Sequence, residues 1–355
     1  MKPRLSLFVL AAAFVTPMLH AEDCLEKAWA GTLGKSKISL EFRSINGQEE
    51  AQALKGRYYY SANWSELTLE RAPGDGDEWL EKDDKGAQTG RLTLECSAGS
   101  LSGSWRSPDG SRNLELKASP VKSYHAQHRQ GARSQLLQSG RFQGRAYDEV
   151  SGERGLDLKT FHLKGEQPGI ARVNELLWQR HLDTLESAAD CISDGRLRGG
   201  EDNDYEYTRS SEIVEWNDAY LVVTSNEGGY CGGAHPFWAY GGQTFNLAAG
   251  KVEEMEKWLS TDYSQGIAAD SALDQRLRKI YAGTGAPAEQ LQECLEGIEF
   301  TTNAFWPRSA GLAFTPSAPH VLSGCAGEDV ILPYDQAQPF LSDYGKAQVK
   351  FFRKP

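Results

Sequence analysis

The chain has 355 residues, which is long enough for two domains of ordinary size, and a formal net charge of −11. An acidic surface repels phosphate backbones, so we expect no nucleic acid among the partners. It favours a basic partner, but the commoner reason for such a charge is solubility alone. None of the six cysteines has the Cys-x-x-Cys spacing, which argues against a zinc ribbon or a thioredoxin-type dithiol.

Residues 1–21 have the pattern of a secretory signal peptide. Lys2 and Arg4 precede an apolar run over 5–15, and Ala21 is the small residue that ends a cleavage site. This run is too short to span a bilayer as a helix, and no later segment is long and apolar enough, so we expect no membrane span. Cleavage removes Lys2 and Arg4 and no acid, so the net charge falls from −11 to −13. The prediction is a periplasmic chain whose cysteines form disulfides.

Residues 22–119 predict an all-β, barrel-like domain. Apolar side chains alternate along short segments, and turn pairs such as Asn46-Gly47 and Asp109-Gly110 separate these segments. There are about eight segments, enough for an antiparallel sheet to close into a small barrel. Cys24 and Cys96 are the cysteines of this region, so we expect them to pair. The alternating residues are Ile38, Leu40, Phe42, Leu67, Leu69, Leu92, Leu94, Leu114 and Leu116.

Three consecutive tyrosines, Tyr58, Tyr59 and Tyr60, with Trp64 nearby, admit two interpretations. They form a ligand platform, or they belong to a strand whose alternate tyrosines pack on its two faces. The second arrangement is the commoner one, because aromatic residues are favoured in half-buried strands.

Ser119-Pro120 predicts a linker, and residues 120–141 read as a polar connector or an additional strand. Residues 142–355 mix helical and strand patterns. A helix follows Pro168-Gly169, then a polar loop over 196–206 and a strand over 213–223. The residues at helical spacing are Val173, Leu176, Leu177, Leu185, Ala188, Ala189 and Ile192.

The segment Tyr230-Cys231-Gly232-Gly233-Ala234-His235-Pro236 predicts a tight loop between two strands, since glycine tolerates positive φ and proline stiffens the exit. The second strand continues over 243–247 and turns at Gly250-Lys251.

Two helices follow, one over 273–281 and one beginning at Pro287, and then strands over 312–314 and 329–332 and a short helix over 333–341. We therefore predict an α+β protein whose second domain has a mostly antiparallel sheet.

The second domain contains four cysteines, and domains with separate cores rarely share bridges. Cys191 ends the long predicted helix and Cys231 begins the glycine-rich loop, so we expect one bridge to pin that loop to the helix. Cys294 and Cys325 then remain for the other bridge.

Several motifs of this half, taken together, resemble the extracellular C-terminal domain of the anti-sigma factor RsiV and of the peptidoglycan deacetylase PdaC. They are the stretch 168–177, the Gly-Gly-Ala-His-Pro loop, the Thr-Phe-Asn-Leu hairpin with its Gly-Lys turn, Gly311-Leu312-Ala313-Phe314 and the Val-Ile-Leu-Pro-Tyr segment at 330–334. The resemblance implies an exported module associated with the cell envelope, and in RsiV such a domain binds lysozyme. We find no deacetylase domain and no anti-sigma segment, so neither activity carries over.

His235 is the candidate catalytic residue, because a histidine exposed by a loop and placed beside acids acts as a general base. The chain lacks a Gly-x-Ser-x-Gly elbow and a His-Glu-x-x-His helix. We therefore favour a structural role, in which a side-chain hydrogen bond to the backbone locks the loop. The prediction is no catalytic residue, no metal and no cofactor.

Phe237, Trp238 and Tyr240 follow the loop and are expected at its tip, where aromatic side chains are enriched in interfaces. With His235 they form the predicted binding patch; the alternative is that they only cover the sheet. The acidic loop over 201–206 offers alternate carboxylates for calcium but lacks the central glycine of an EF-hand, so it is typical of a solvated loop.

These observations favour a non-catalytic binding protein of the cell envelope that recognises a protein, with a lysozyme-type muramidase as one candidate, or an envelope component such as peptidoglycan. One alternative is an immunity or inhibitor protein against a secreted toxin. Another is a hydrolase that acts on peptidoglycan or a polysaccharide, which needs paired carboxylates or a metal in a cleft.

Overall fold

The computed structural model describes residues 26–45, 53–61, 66–74, 77–83, 85–97, 99–125, 129, 132–152, 158–199, 205–283, 290–326 and 328–353. The chain divides into two compact units, residues 1–127 and 128–355. Within the described ranges no helix is long and apolar enough to cross a membrane.

Eight antiparallel strands of the first unit close a barrel, in which each strand pairs with its neighbours in sequence and β1 also pairs with β8. The predicted eight-stranded barrel is therefore confirmed. Its strands are β1 Ala28–Leu33, β2 Ser36–Ile45, β3 Ala53–Tyr60, β4 Glu66–Arg71, β5 Glu78–Lys82, β6 Gln88–Ser97, β7 Ser100–Arg106 and β8 Asn113–Val121.

The barrel core is built from the alternating side chains, since successive residues of a strand point to opposite faces. Ile38, Leu40 and Phe42 are all buried in it together with Tyr58. Tyr59 points away from that core and packs against Tyr124, whose backbone oxygen accepts its hydroxyl at 2.7 Å. Tyr58 and Tyr59 therefore pack on two faces of a strand, which matches the second of the two interpretations. Trp64 lies outside the described residues.

Ser119 and Pro120, where the sequence suggested a linker, lie inside β8 and pair with Ala30 and Trp29 of β1. A proline is tolerated there because β8 pairs with β7 only as far as Ala118, so no hydrogen bond to β7 is lost. Residues 135–142 form a strand, which matches the second of the two interpretations given for the connector.

The second unit contains three antiparallel sheets and five helices within the described ranges, so the chain is α+β. The first sheet has the order β11-β10-β9, the second β12-β13-β14-β15 and the third β16-β17-β18. The strands are β9 Gln135–Phe142, β10 Arg145–Ser151, β11 Thr160–Leu163, β12 Glu206–Trp216, β13 Tyr220–Tyr230, β14 Phe237–Asn246, β15 Lys251–Val252, β16 Phe305–Arg308, β17 Gly311–Phe314 and β18 Val330–Leu332. The helices are α1 Ile170–Gly199, α2 Ala272–Tyr281, α3 Leu291–Gly297, α4 Tyr334–Ala337 and α5 Asp343–Gln348.

Helix α1 packs on the second sheet through the apolar face that its spacing predicted. Val173 and Leu177 are buried there against Leu221 of β13 and Phe245 of β14. A second, larger core around Trp258 joins the shorter helices to the third sheet. These two cores fix the strand ends that carry the candidate site.

Two local predictions are wrong. The single strand expected over 213–223 is two strands, because Asn217 accepts hydrogen bonds from the backbone of Ala219 at 2.9 Å and of Tyr220 at 2.8 Å and so closes a turn. The polar loop expected from residue 196 begins later, since α1 continues to Gly199. Helix α3 begins at Leu291, and Pro287 lies outside the described residues.

Candidate functional site

The glycine-rich loop joins β13 to β14, as the sequence predicted. Gly232 and Gly233 adopt φ of +90° and +100°, conformations that a residue with a Cβ atom rarely takes. The hydroxyl of Tyr230 donates to the backbone oxygen of Gly233 at 2.9 Å, and this hydrogen bond stabilises the turn.

Both disulfides predicted for this half are present, and they hold two neighbouring segments. Cys191 on α1 is bonded to Cys231 at the start of the loop. Cys294 on α3 is bonded to Cys325, which ends a 3-10 segment, His320–Cys325. In the barrel Cys96 is also disulfide-bonded, whereas its predicted partner Cys24 lies outside the described residues.

The three aromatic residues of the predicted patch lie on β14 and not at the tip of the loop. Trp238 and Tyr240 share one face of the strand, and Trp238 is 45% exposed. Phe237 lies on the other face and packs against Tyr207, with 5.8 Å between the ring centroids. Phe237 thus points to the opposite face of β14, although it also lines the smaller depression described next.

Trp238 and Tyr240 lie between two open depressions, which we call together the aromatic groove. One has a volume of about 670 Å³ and the other of about 530 Å³, and both are also lined by Ser323 and Ala326 of the disulfide-held 3-10 region. The larger one is lined further by Asn226, Arg308, Glu328 and Asp329, and the smaller one by His320, Thr301, Asn303 and Pro316.

Asp329 holds the polar end of the groove. Its carboxyl accepts from Thr315 Oγ1 at 2.8 Å and from Tyr240 and Arg308 at 3.4 Å each. Burial raises the pKa of Asp329, and the hydrogen bond from Thr315 and the charge of Arg308 oppose that rise. Burial also raises the pKa of Tyr240, so its hydroxyl keeps the proton that it donates. Asp329 thus fixes the orientation of Tyr240 and Arg308.

His235 is exposed, and its ring lies 5.0 Å from the ring of His320 on the opposite segment. It forms no hydrogen bond to the backbone of any described residue, so the predicted locking bond is wrong. Val321, next to His320, is 87% exposed. Of these residues, His320 lines the smaller depression of the groove.

Sequence reasoning missed His320, Arg308 and Asp329. Asp329 and Tyr240 lie 89 residues apart in sequence, and only the packing of the third sheet against β14 joins them. One signal was available for His320, because it lies five residues before Cys325, whose bridge was predicted.

No group of three or more histidine, cysteine, aspartate or glutamate side chains is placed to hold a metal ion in the described part of the chain. The acidic stretch 201–204 lies outside it, and Glu206 begins β12.

Comparison with known proteins gives structural neighbours only. No family model matches the chain, and no curated protein matches it. The chain is similar to a DUF3298 family member from Bacteroides fragilis, at 14% identity and a TM-score of 0.33 over 74% of this chain and 98% of that one. It is also similar to a DUF3298 family protein from Pseudomonas aeruginosa, at 12% identity and a TM-score of 0.36 over 60% and 95%. Neither description names a ligand, so function must be argued from the groove itself.

Proposed function

We propose that the chain is an exported, non-catalytic binding protein of the cell envelope and that the aromatic groove is its binding surface. The observation that carries this proposal is the exposure of Trp238 on a rigid frame. Tryptophan buries a large area at low entropic cost when a partner covers it, and such residues dominate binding energy.

The frame supports binding because both of its sides are tied down before any partner arrives. The bridge Cys191–Cys231 holds the loop to α1, and the bridge Cys294–Cys325 holds the opposite segment to α3. A surface that is already ordered loses little conformational entropy on binding, so more of the contact energy remains as affinity.

The first proposed partner is a basic protein, a lysozyme-type muramidase, and the second is peptidoglycan. The net charge of −11 supports a basic partner, since opposite charge accelerates encounter. An immunity or inhibitor protein against a secreted toxin would use the same surface. The identity of the bound protein, a toxin or a muramidase, distinguishes that function from the one proposed here.

A hydrolase is the second candidate function, and Asp329 is the observation that favours it. This carboxyl lies in the groove beside Glu328 and has a raised pKa, as a general acid requires. Three donors already engage it, however, which supports a structural role.

The experiment measures binding of the exported chain to an immobilised lysozyme-type muramidase and to purified peptidoglycan. We expect Trp238→Ala to weaken binding to one of them at least tenfold, while the melting temperature changes little. The matched control is Leu137→Ala, which removes a side chain of similar exposure, 54%, from β9. Equal binding by Trp238→Ala and the unmodified chain would exclude the groove.

The same preparation tests the hydrolase. We measure the release of soluble fragments from peptidoglycan. If the chain releases them and Asp329→Asn does not, although the variant still binds through Trp238, the function is catalytic. If neither probe binds, the muramidase and peptidoglycan versions are both wrong.

A further inference from the structure

A small polar cavity lies between α1 and the second sheet, and its lining differs from that of the aromatic groove. Its volume is about 30 Å³, which is room for about two water-sized atoms. We call it the cationic cavity; its polar lining includes Arg180, His181 and Thr184 of α1 and Arg209, Ser211 and Ser225 of the sheet.

Two guanidinium groups meet at this cavity, and within the described ranges only Arg209 forms an ion pair. Arg209 donates to Thr184 Oγ1 at 2.5 Å and lies 3.6 Å from a carboxylate oxygen of Glu227. Arg180 donates to Gln243, a neutral amide, and forms no ion pair within the described ranges. Asp183, one turn further along α1, is engaged by Arg129.

His181 adds a donor and no charge. Its ring is 4% exposed, and Nε2 accepts the backbone N–H of Gly152 at 2.9 Å. The proton of the neutral ring therefore lies on Nδ1, where no described residue accepts it. Burial, and after it the charge of Arg209, lowers the pKa of His181 to about 4, so the ring stays neutral at neutral pH.

Lys159 also lines the cavity, but its charge is matched by Glu149, with 2.8 Å between the charged atoms. The hydroxyls of Ser211 and Ser225 share one hydrogen bond of 2.9 Å in either direction, and Arg209 donates to Ser225 Oγ at 3.4 Å. The cavity therefore keeps hydrogen-bond donors without a close acceptor among the described residues, chiefly on Arg180 and at His181 Nδ1. The charges of Asp183 and Glu227 act on Arg180, but neither carboxylate forms an ion pair with it.

We infer that the cationic cavity is a binding site for the carboxylate group of a small acid or of a peptide end. A carboxylate brings a negative charge to two guanidinium groups and accepts from a guanidinium through its two oxygens, which match a space of two water-sized atoms. Sulfate and phosphate carry four oxygens, twice as many as this space holds.

The first test titrates the purified full chain with acetate and follows the Nδ1 resonance of His181. We expect a saturable shift with acetate, and no such shift with sulfate at equal ionic strength. A shift with sulfate as large as with acetate would overturn the site, because simple screening would then explain both.

The second test uses variants. Arg180→Gln is expected to weaken acetate binding at least tenfold, and Arg180→Lys to weaken it less, since lysine keeps the charge but loses the paired donors. Arg172→Gln is the matched control on the same helix, where Arg172 is exposed and pairs with Glu175. Equal weakening by the Arg172 and Arg180 variants would contradict the proposal.

Two short peptides of one sequence, one with a free C-terminal carboxyl and one amidated, distinguish a peptide end from a small acid as the source of the carboxylate. Tighter binding of the free peptide than of acetate assigns the site to peptide ends, and equal binding assigns it to small acids. Binding of the amidated peptide at equal strength would overturn the inference.

Discussion

Two buried polar clusters of this molecule differ in how their hydrogen bonds are balanced. In the barrel, Glu81 is 3% exposed and accepts from three side chains on three other strands: Tyr58, Trp105 at 2.7 Å and Thr89 at 2.7 Å. Burial, and after it the charge of Glu81, raises the pKa of Tyr58 far above its usual range, so the phenol remains a donor. In the cationic cavity, by contrast, donors exceed acceptors.

The difference separates structural burial from a binding site. A buried polar group is tolerated when it finds its partners inside the fold, and the barrel cluster is complete in this sense. A cluster that keeps unmatched donors gains stability only when an acceptor arrives from outside. Mutations in the barrel cluster should therefore lower the stability of the fold strongly. Mutations in the cationic cavity should mainly weaken ligand binding.

The largest expected effect comes from Glu81→Ala, which leaves three donors without their acceptor in the barrel. We expect the free energy of unfolding of the barrel to fall by about 4 kcal/mol, since each unmatched buried donor is costly. Native-state hydrogen exchange of the barrel amides measures this change. The control is Glu78→Ala on the same strand, where the half-buried carboxylate pairs with exposed Arg91. A similar loss of stability in both variants would show that the buried hydrogen bonds of Glu81 do not cause the effect.

The second effect is a pH dependence from His181. Its pKa is 6.5 when unfolded and about 4 when folded, so the unfolded chain binds one more proton between these values. The free energy of unfolding should therefore fall as the pH drops from 6.5 to 4, by about 3 kcal/mol in total. We expect His181→Gln to remove this component and exposed His162→Gln to retain it, as urea denaturation at several pH values would show.

A smaller loss is expected from Thr89→Val, which removes one of the three donors to Glu81. The carboxyl keeps its bonds to Tyr58 and Trp105, so the cost is about 1 kcal/mol. Thr93→Val changes an exposed residue of the same strand and should cost less. If Thr89→Val costs as much as Glu81→Ala, the three bonds do not act as separate contributions.

The smallest effect distinguishes the cavity most sharply from the barrel. In a buffer without small carboxylates, Arg180→Gln should change the free energy of unfolding by about 0.5 kcal/mol or less. The reason is that burial, and after it the charge of Arg209, lowers the pKa of Arg180, and the charges of Asp183 and Glu227 offset this only in part. A loss as large as that of Glu81→Ala would mean that the cavity is structural.

The sequence predicted what depends on neighbours along the chain. Alternation placed Ile38, Leu40 and Phe42 in a barrel core, and they are buried there. The order of cysteines along helix and loop predicted the bridges Cys191–Cys231 and Cys294–Cys325. The first inference needs only the two-residue period of apolar side chains, and the second only the order of the cysteines along the chain.

What the sequence did not reveal depends on three-dimensional packing. Arg180 and Arg209 belong to a helix and a strand, and neither segment carries a sign that their charges meet. The turn at Asn217 was missed because the apolar run continues on both sides of it, although Asn217-Asp218 is itself a turn pair.

The closure of the barrel also determines where its two ends lie. Ala28 of the first strand pairs with Val121 of the last, so the ends of the barrel are adjacent in the sheet. A short linker between them, with new termini opened at the Asp109-Gly110 turn, yields a circular permutant that keeps every strand pair. The sequence order of the strands is thus interchangeable in this unit, whereas their cyclic order around the barrel is not.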